Sequence, residues 1–139
     1  LSQSLRYKQW TLGMNFRANI GNYVYNGMAM NAGAWETVSY NNSQINNLNV
    51  SFLKTGFQTR QYLSDYYVEN ASFLKLDNLS LTYNVGKISK WASLTVSALV
   101  QNVFTITGYS GTDPEVPNGM DKSFYPRPRT YSLSFGLQF

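Results

Sequence analysis

The sequence predicts an all-β chain, a segment of an antiparallel transmembrane β-barrel. Three observations predict it. Over the last ten positions, Tyr131, Leu133, Phe135, Leu137 and Phe139 alternate without a break with Thr130, Ser132, Ser134, Gly136 and Gln138. The polar partners in that run are small or amidic and none is charged, which suits a crowded wet lumen better than an open aqueous surface. Short and long connections also alternate along the chain, as they do between the two ends of a membrane barrel.

The first strand is expected over 5–21, where Trp10, Leu12, Met14, Phe16, Ala18 and Ile20 alternate with Gln9, Thr11, Gly13, Asn15, Arg17 and Asn19. The second is expected over 71–85, with Leu79, Leu81, Tyr83 and Val85 on one face. Upstream, Leu74 and Leu76 have the opposite parity, so either a β-bulge near Asn78 or a strand end interrupts this run. The third is expected over 92–106, carried by Leu94, Val96, Ala98 and Val100 and continued by Phe104 and Ile106, with Leu99 and Val103 out of phase. The fourth occupies 129–139. Helix signals are poor: Ile45, Leu48 and Phe52 mark one short helix at most, since Asn46, Asn47 and Asn49 are weak helix formers.

Residues 86–91 make a short turn. Residues 22–70 have no firm period, and residues 107–128 hold all four prolines, which stiffen that loop. Both long connections fall at one end of the strands. From Tyr131 to Phe139, tilted by about 40°, a strand rises about 20 Å, close to the apolar band of about 25 Å in an outer-membrane barrel. Trp10, Tyr83, Trp91 and Phe139 then mark the turn-end interface, and Phe104 and Tyr131 the loop-end one. Four strands cannot close a barrel, so the chain reads as the tail of a larger one. It begins with Leu and is expected to be a mature product or a fragment.

Composition narrows the chemistry. The chain has 139 residues, of which 13 % are charged and 16 % aromatic, the reverse of a disordered segment. With no His and no Cys, it holds no Ser-His-Asp triad, thiolate nucleophile, disulfide or Cys/His metal site. No apolar run exceeds three residues, which excludes a transmembrane helix. The net charge of +4 is spread along the sequence, a poor footprint for nucleic acid.

Three tracts carry a family likeness. Residues 67–84, from Tyr67-Val68-Glu69-Asn70 through Phe73-Leu74-Lys75-Leu76-Asp77-Asn78-Leu79 to Asn84, resemble a late barrel motif of SusC-like TonB-dependent transporters of the Bacteroidetes. Residues 101–116, Gln101-Asn102-Val103-Phe104-Thr105-Ile106-Thr107-Gly108-Tyr109 onward through Asp113-Pro114-Glu115, resemble the next motif. Tyr125-Pro126-Arg127-Pro128-Arg129-Thr130, with the strand that ends in Phe139, resembles the family C-terminus. Residues 5–26 match more loosely. The resemblance implies the last four strands of a 22-stranded barrel in the Gram-negative outer membrane, with the plug outside this chain. It implies import of glycans or peptides, a SusD-like surface lipoprotein as lid, TonB as energy source through an absent N-terminal region, and no catalysis, cofactor or metal. Phe139 then resembles the signal read by the barrel-assembly machinery.

On this reading Leu12, Met14, Phe16, Leu79, Leu81, Tyr83, Leu94, Val96, Leu133, Phe135 and Leu137 face outer-membrane lipid, and Arg17 faces the lumen. Trp35, Tyr40, Tyr109 and Tyr125 are candidate contacts to substrate or lid. With Tyr62, Tyr66 and Tyr67 they equally suit packing on one another. Arg127 and Arg129 flank Pro128 as snorkelling cations or partners of acidic groups. Asp113, Glu115 and Asp121 are the densest carboxylates, better suited to shaping a loop than to holding calcium or running acid–base chemistry. The rival readings are a soluble β-sandwich that binds carbohydrate through aromatics and a small β enzyme that uses Asp113 and Glu115.

Overall fold

The computed structural model of the chain describes residues 1–39, 47–122 and 125–139. These fall into two units. The first comprises Leu1–Asn19, Phe73–Ile106 and Arg127–Phe139; the second comprises Ile20–Ser72 and Thr107–Pro126.

The first unit is a sheet of five strands among the described residues: β1 (Ser2–Tyr7), β2 (Trp10–Asn19), β5 (Phe73–Lys87), β6 (Ser93–Thr107) and β8 (Thr130–Gln138), in the order β1-β2-β5-β6-β8. The expected strand over 5–21 is thus a hairpin, and the sheet has five strands where four were expected. Tyr7 pairs with Trp10, and the two-residue turn puts Lys8 in the left-handed region at φ 53°. The signal was a parity change between Leu5 and Tyr7 on one side and Trp10 and Leu12 on the other, with no Asn-Gly or Gly to mark the turn. The other three strands lie within two residues of their expected bounds.

The phase break in the second expected strand is a β-bulge. Asn15 pairs with Asn78 and Phe16 with Leu76, leaving Asp77 as the extra residue. By leaving that residue out of the ladder, the bulge puts Leu74 and Leu76 on the face of Leu79, Leu81 and Tyr83, paired with Ala18, Phe16, Met14, Leu12 and Trp10. Leu94, Val96, Ala98 and Val100 pair in turn with Leu137, Phe135, Leu133 and Tyr131. Leu99 sits across from Ser132 on the polar face, which explains its phase.

The second unit gives structure to stretches that showed no period in the sequence. β3 (Tyr23–Asn26) pairs antiparallel with β4 (Val68–Asn70) and parallel with β7 (Met120–Asp121). Among the described residues, three short α-helices follow β3: α1 (Gly27–Ala32), α2 (Glu36–Ser39) and α3 (Phe52–Thr55). Asn26 caps α1 by accepting from the Ala29 N–H at 2.9 Å, and Gly56 closes α3 at φ 59°. Of the expected helix markers, Phe52 opens α3, Leu48 precedes it, and Ile45 lies outside the described residues. Two apolar clusters sit here, Val24, Ala71 and Tyr109 against Val116, and Ala29, Met30 and Tyr67 against Tyr25 and Phe57. Each of these strands and helices is too short to stand alone, so packing and capping hold them.

Candidate functional site

The first unit carries its chemistry on two faces. The apolar row of β8 is open, with Leu133, Phe135 and Leu137 64, 65 and 55 % exposed. Soluble sheets bury such rows, because each large side chain left in water forgoes about 1.5–3 kcal/mol. On the other face, hydroxyls and amides bond across the strands. Thr82 and Ser97 meet at 3.0 Å, which ties the polar row of β5 to that of β6, and the Ser134 hydroxyl donates to the Ser97 carbonyl at 3.4 Å.

The bulge organises the charges of this polar face. Arg17 forms a two-point pair with Asp77, its Nε to Oδ2 and its Nη2 to Oδ1, the latter at 3.0 Å. Lys75 pairs with Arg17 across the ladder, is buried, and holds its Nζ 5.1 Å from the centre of the Phe73 ring. By parity alone Lys75 and Asp77 shared the apolar face; the bulge moves both off it. Arg17, expected in the lumen, stands on this polar face.

In the second unit the carboxylates hold the backbone in place. Glu69 accepts from the Asn26 amide at 2.9 Å, the Ser110 N–H at 2.9 Å and the Ser110 hydroxyl at 2.7 Å. Tyr109 is buried and its hydroxyl donates to Asp121 at 2.8 Å. Burial first, then the Asp121 hydrogen bond and the nearby Asp121 and Glu69 charges, hold the Tyr109 proton well above the usual phenol range. Asp113 accepts from the Glu115 N–H at 3.0 Å, a local turn. Among the described residues, no group of three or more metal-ligating side chains comes together.

The candidate contact aromatics part ways. Tyr109 packs inside the unit, so its ring is not offered to substrate or lid. Trp35 is half exposed and lies 6.2 Å from the Phe52 ring, Tyr125 is exposed, and Tyr40 lies outside the described residues. Tyr67 is buried against Tyr66 and Tyr25, the packing alternative for loop aromatics. The Glu69–Asn26–Ser110 network had no sequence signal, because its members are far apart in the chain.

An antiparallel sheet with one apolar face, one polar face and two open edges has the form of a membrane β-barrel wall. Comparison with known proteins agrees. The chain is 35 % identical over 148 aligned positions to TonB-dependent receptor SusC of Bacteroides thetaiotaomicron, a match that takes in 100 % of this chain and 15 % of that protein. It is 27 % identical to TonB-dependent receptor P3 of Formosa agariphila, covering 99 % of this chain and 16 % of the receptor. Among solved structures, the RagAB peptide transporter matches 99 % of this chain and 17 % of its own with a TM-score of 0.76 at 22 % identity, a likeness of fold. The RagAB peptide importer in its open-open state gives 0.72 at 24 %. No protein-family model matches. Over its whole length the chain is homologous to one segment of TonB-dependent receptor SusC. It spans less than a fifth of the length of the relatives it matches.

Proposed function

We propose that this chain is the last stretch of barrel wall in a TonB-dependent transporter of the Gram-negative outer membrane, which imports glycans or peptides beneath a SusD-like lipoprotein lid and catalyses no reaction. The observation that carries this reading is the apolar row of β8, exposed from Tyr131 to Leu137 and paired rung by rung with the half-buried apolar row of β6. In lipid that row is covered, and the open edges of β1 and β8 pair with strands outside this chain, which removes backbone groups that would each cost several kcal/mol in hydrocarbon. On this reading Leu12, Met14, Phe16, Leu79, Leu81, Tyr83, Leu94, Val96, Leu133, Phe135 and Leu137 meet lipid, and Arg17 lines the lumen. Trp35 and Tyr125 meet substrate or lid, and Phe139 serves the barrel-assembly machinery. A soluble carbohydrate-binding sandwich is disfavoured, since its apolar rows would need a second sheet to bury them.

The test uses the full-length protein in a Gram-negative host. It should fractionate with the outer membrane, show heat-modifiable mobility, and take up a labelled peptide or oligosaccharide pool only when TonB is present. A soluble full-length protein, or uptake unchanged without TonB, overturns the reading.

A further inference from the structure

The first unit carries eight basic residues against one acidic one, and four of the eight lie at one end of it. Arg6 and Lys8 flank the β1–β2 turn, and Lys87 and Lys90 flank the β5–β6 turn. The two turns are neighbours: the Gln9 carbonyl accepts from the Asn84 N–H at 2.9 Å, and the Trp10 and Tyr83 rings lie 4.5 Å apart. The unit's other four basic residues, Arg17, Lys75, Arg127 and Arg129, lie toward its opposite end with Asp77, so no acidic side chain offsets the four cations at the short turns. The carboxylate of this unit, Asp77, is five ladder rungs away, about 17 Å and beyond a Debye length of about 8 Å. It is also already paired with Arg17. Even set against a terminal carboxylate at Phe139, this end keeps three positive charges.

The same end is apolar between its cations. Trp91 and Phe139 are more than four-fifths exposed, and Tyr7 is exposed beside Lys8, whose Nζ lies 5.4 Å from its ring centre. Lys87, Lys90, Trp91, Gln138 and Phe139 line a hollow of about 300 Å³. Ammonium groups around an amphipathic indole match a phosphodiester that is joined to glycerol and acyl chains. They match a free anion less well, because a free anion has no use for the aromatic floor. We infer that the short-turn end of this sheet docks the phosphodiester headgroup of an anionic phospholipid. The inference rests on the outer-membrane reading, which puts this end at the periplasmic leaflet, where the lipids are phospholipids.

The test reconstitutes the full-length protein into nanodiscs of phosphatidylethanolamine and phosphatidylglycerol, each lipid supplied in turn as a photo-crosslinkable analogue. Crosslinked peptides are then mapped by mass spectrometry. The phosphatidylglycerol analogue should label the peptides that contain Trp91 and Phe139 more strongly than the phosphatidylethanolamine analogue. Labelling should fall about fivefold for each of Lys8→Gln, Lys87→Gln and Lys90→Gln, fall with added salt in the wild type, and not change in Lys54→Gln. Equal labelling by the two analogues, or an unchanged preference in the triple variant, overturns the inference. So does suppression of the crosslink by excess inorganic phosphate or by polyglutamate to the same degree as by unlabelled phosphatidylglycerol. Failure of the protein to insert into the discs overturns the outer-membrane reading itself; insertion without a lipid preference overturns this inference alone.

Discussion

Arginine placed along β8 separates a wall in lipid from a sheet in water. Leu133, Phe135 and Leu137 share one face and are exposed to similar extents, at 64, 65 and 55 %. In water, three arginines there behave alike, each within about 0.5 kcal/mol of wild type, as surface substitutions do. In a bilayer, depth decides. A strand tilted by about 40° climbs about 2.5 Å per residue. Counted from Gln138, Leu137 then lies about 3 Å, Phe135 about 8 Å and Leu133 about 13 Å into an apolar band about 25 Å tall. Leu133→Arg at the midplane should cost about 2–4 kcal/mol, Leu137→Arg about 0–1 kcal/mol, and Phe135→Arg a value between them. Ser132→Arg and Ser134→Arg, on the opposite face, should cost less than Leu133→Arg. The assay is reversible denaturant unfolding of the full-length protein in lipid bilayers, with the folded fraction read by heat-modifiable mobility. Equal costs at the three apolar positions, or serine variants as costly as Leu133→Arg, would refute the orientation.

Three further outcomes follow from the described contacts. Deleting Asp77 should leave assembly of the full-length protein intact, because Asn78–Asn15 and Leu76–Phe16 then become consecutive rungs and Leu74 and Leu76 stay on the apolar face. Asp77→Ala, which keeps the bulge, should cost less than about 1 kcal/mol because the Arg17 pair is partly exposed, and outer-membrane yield compares the two. Glu69→Ala should destabilise the second unit by about 1 kcal/mol, since Asn26 keeps the Ser110 hydroxyl as acceptor at 3.1 Å and the exposed Ser110 donors turn to water, seen as faster hydrogen exchange at Asn26–Ala32 and at Ser110. Tyr109 keeps its proton in the fold beyond the pH at which a free phenol loses it, so between these limits the native state holds more protons than the unfolded one and stability falls as pH rises. Local protection in the second unit should therefore weaken above about pH 10, and Tyr109→Phe should reduce that pH dependence, the buried Tyr67 supplying the rest, while losing about 1 kcal/mol at neutral pH.

Much of the sheet was legible because a two-residue period survives in the sequence wherever one face is apolar. The parity break at Leu74 and Leu76 was legible for the same reason, but a strand end would leave the same mark, and only the pairing of Phe16 with Leu76 makes it a bulge. The β1–β2 turn was harder to see, since Lys8 adopts a conformation that its residue type does not advertise. The second unit was opaque. Its elements are two to six residues long, too short for a period, and their stability comes from contacts such as Tyr109–Asp121 and Glu69–Ser110 between distant positions. The basic end was hidden in a similar way, because Arg6, Lys8, Lys87 and Lys90 are neighbours only once β2 lies beside β5.

Asn19 and Phe73 are direct partners across the ladder, yet residues 20–72 run between them. The ladder fixes where that excursion starts and ends, to about 5 Å, whatever its content. Lengthening such a span is thermodynamically mild, about 0.6 kcal/mol per doubling of a flexible loop. A lineage can therefore lengthen, shorten or rewrite the excursion while the strands that anchor it stay in register. The rung at Asn19 and Phe73 acts as a socket, with a geometry fixed by the ladder on the sheet side and room for an excursion of any length on the other.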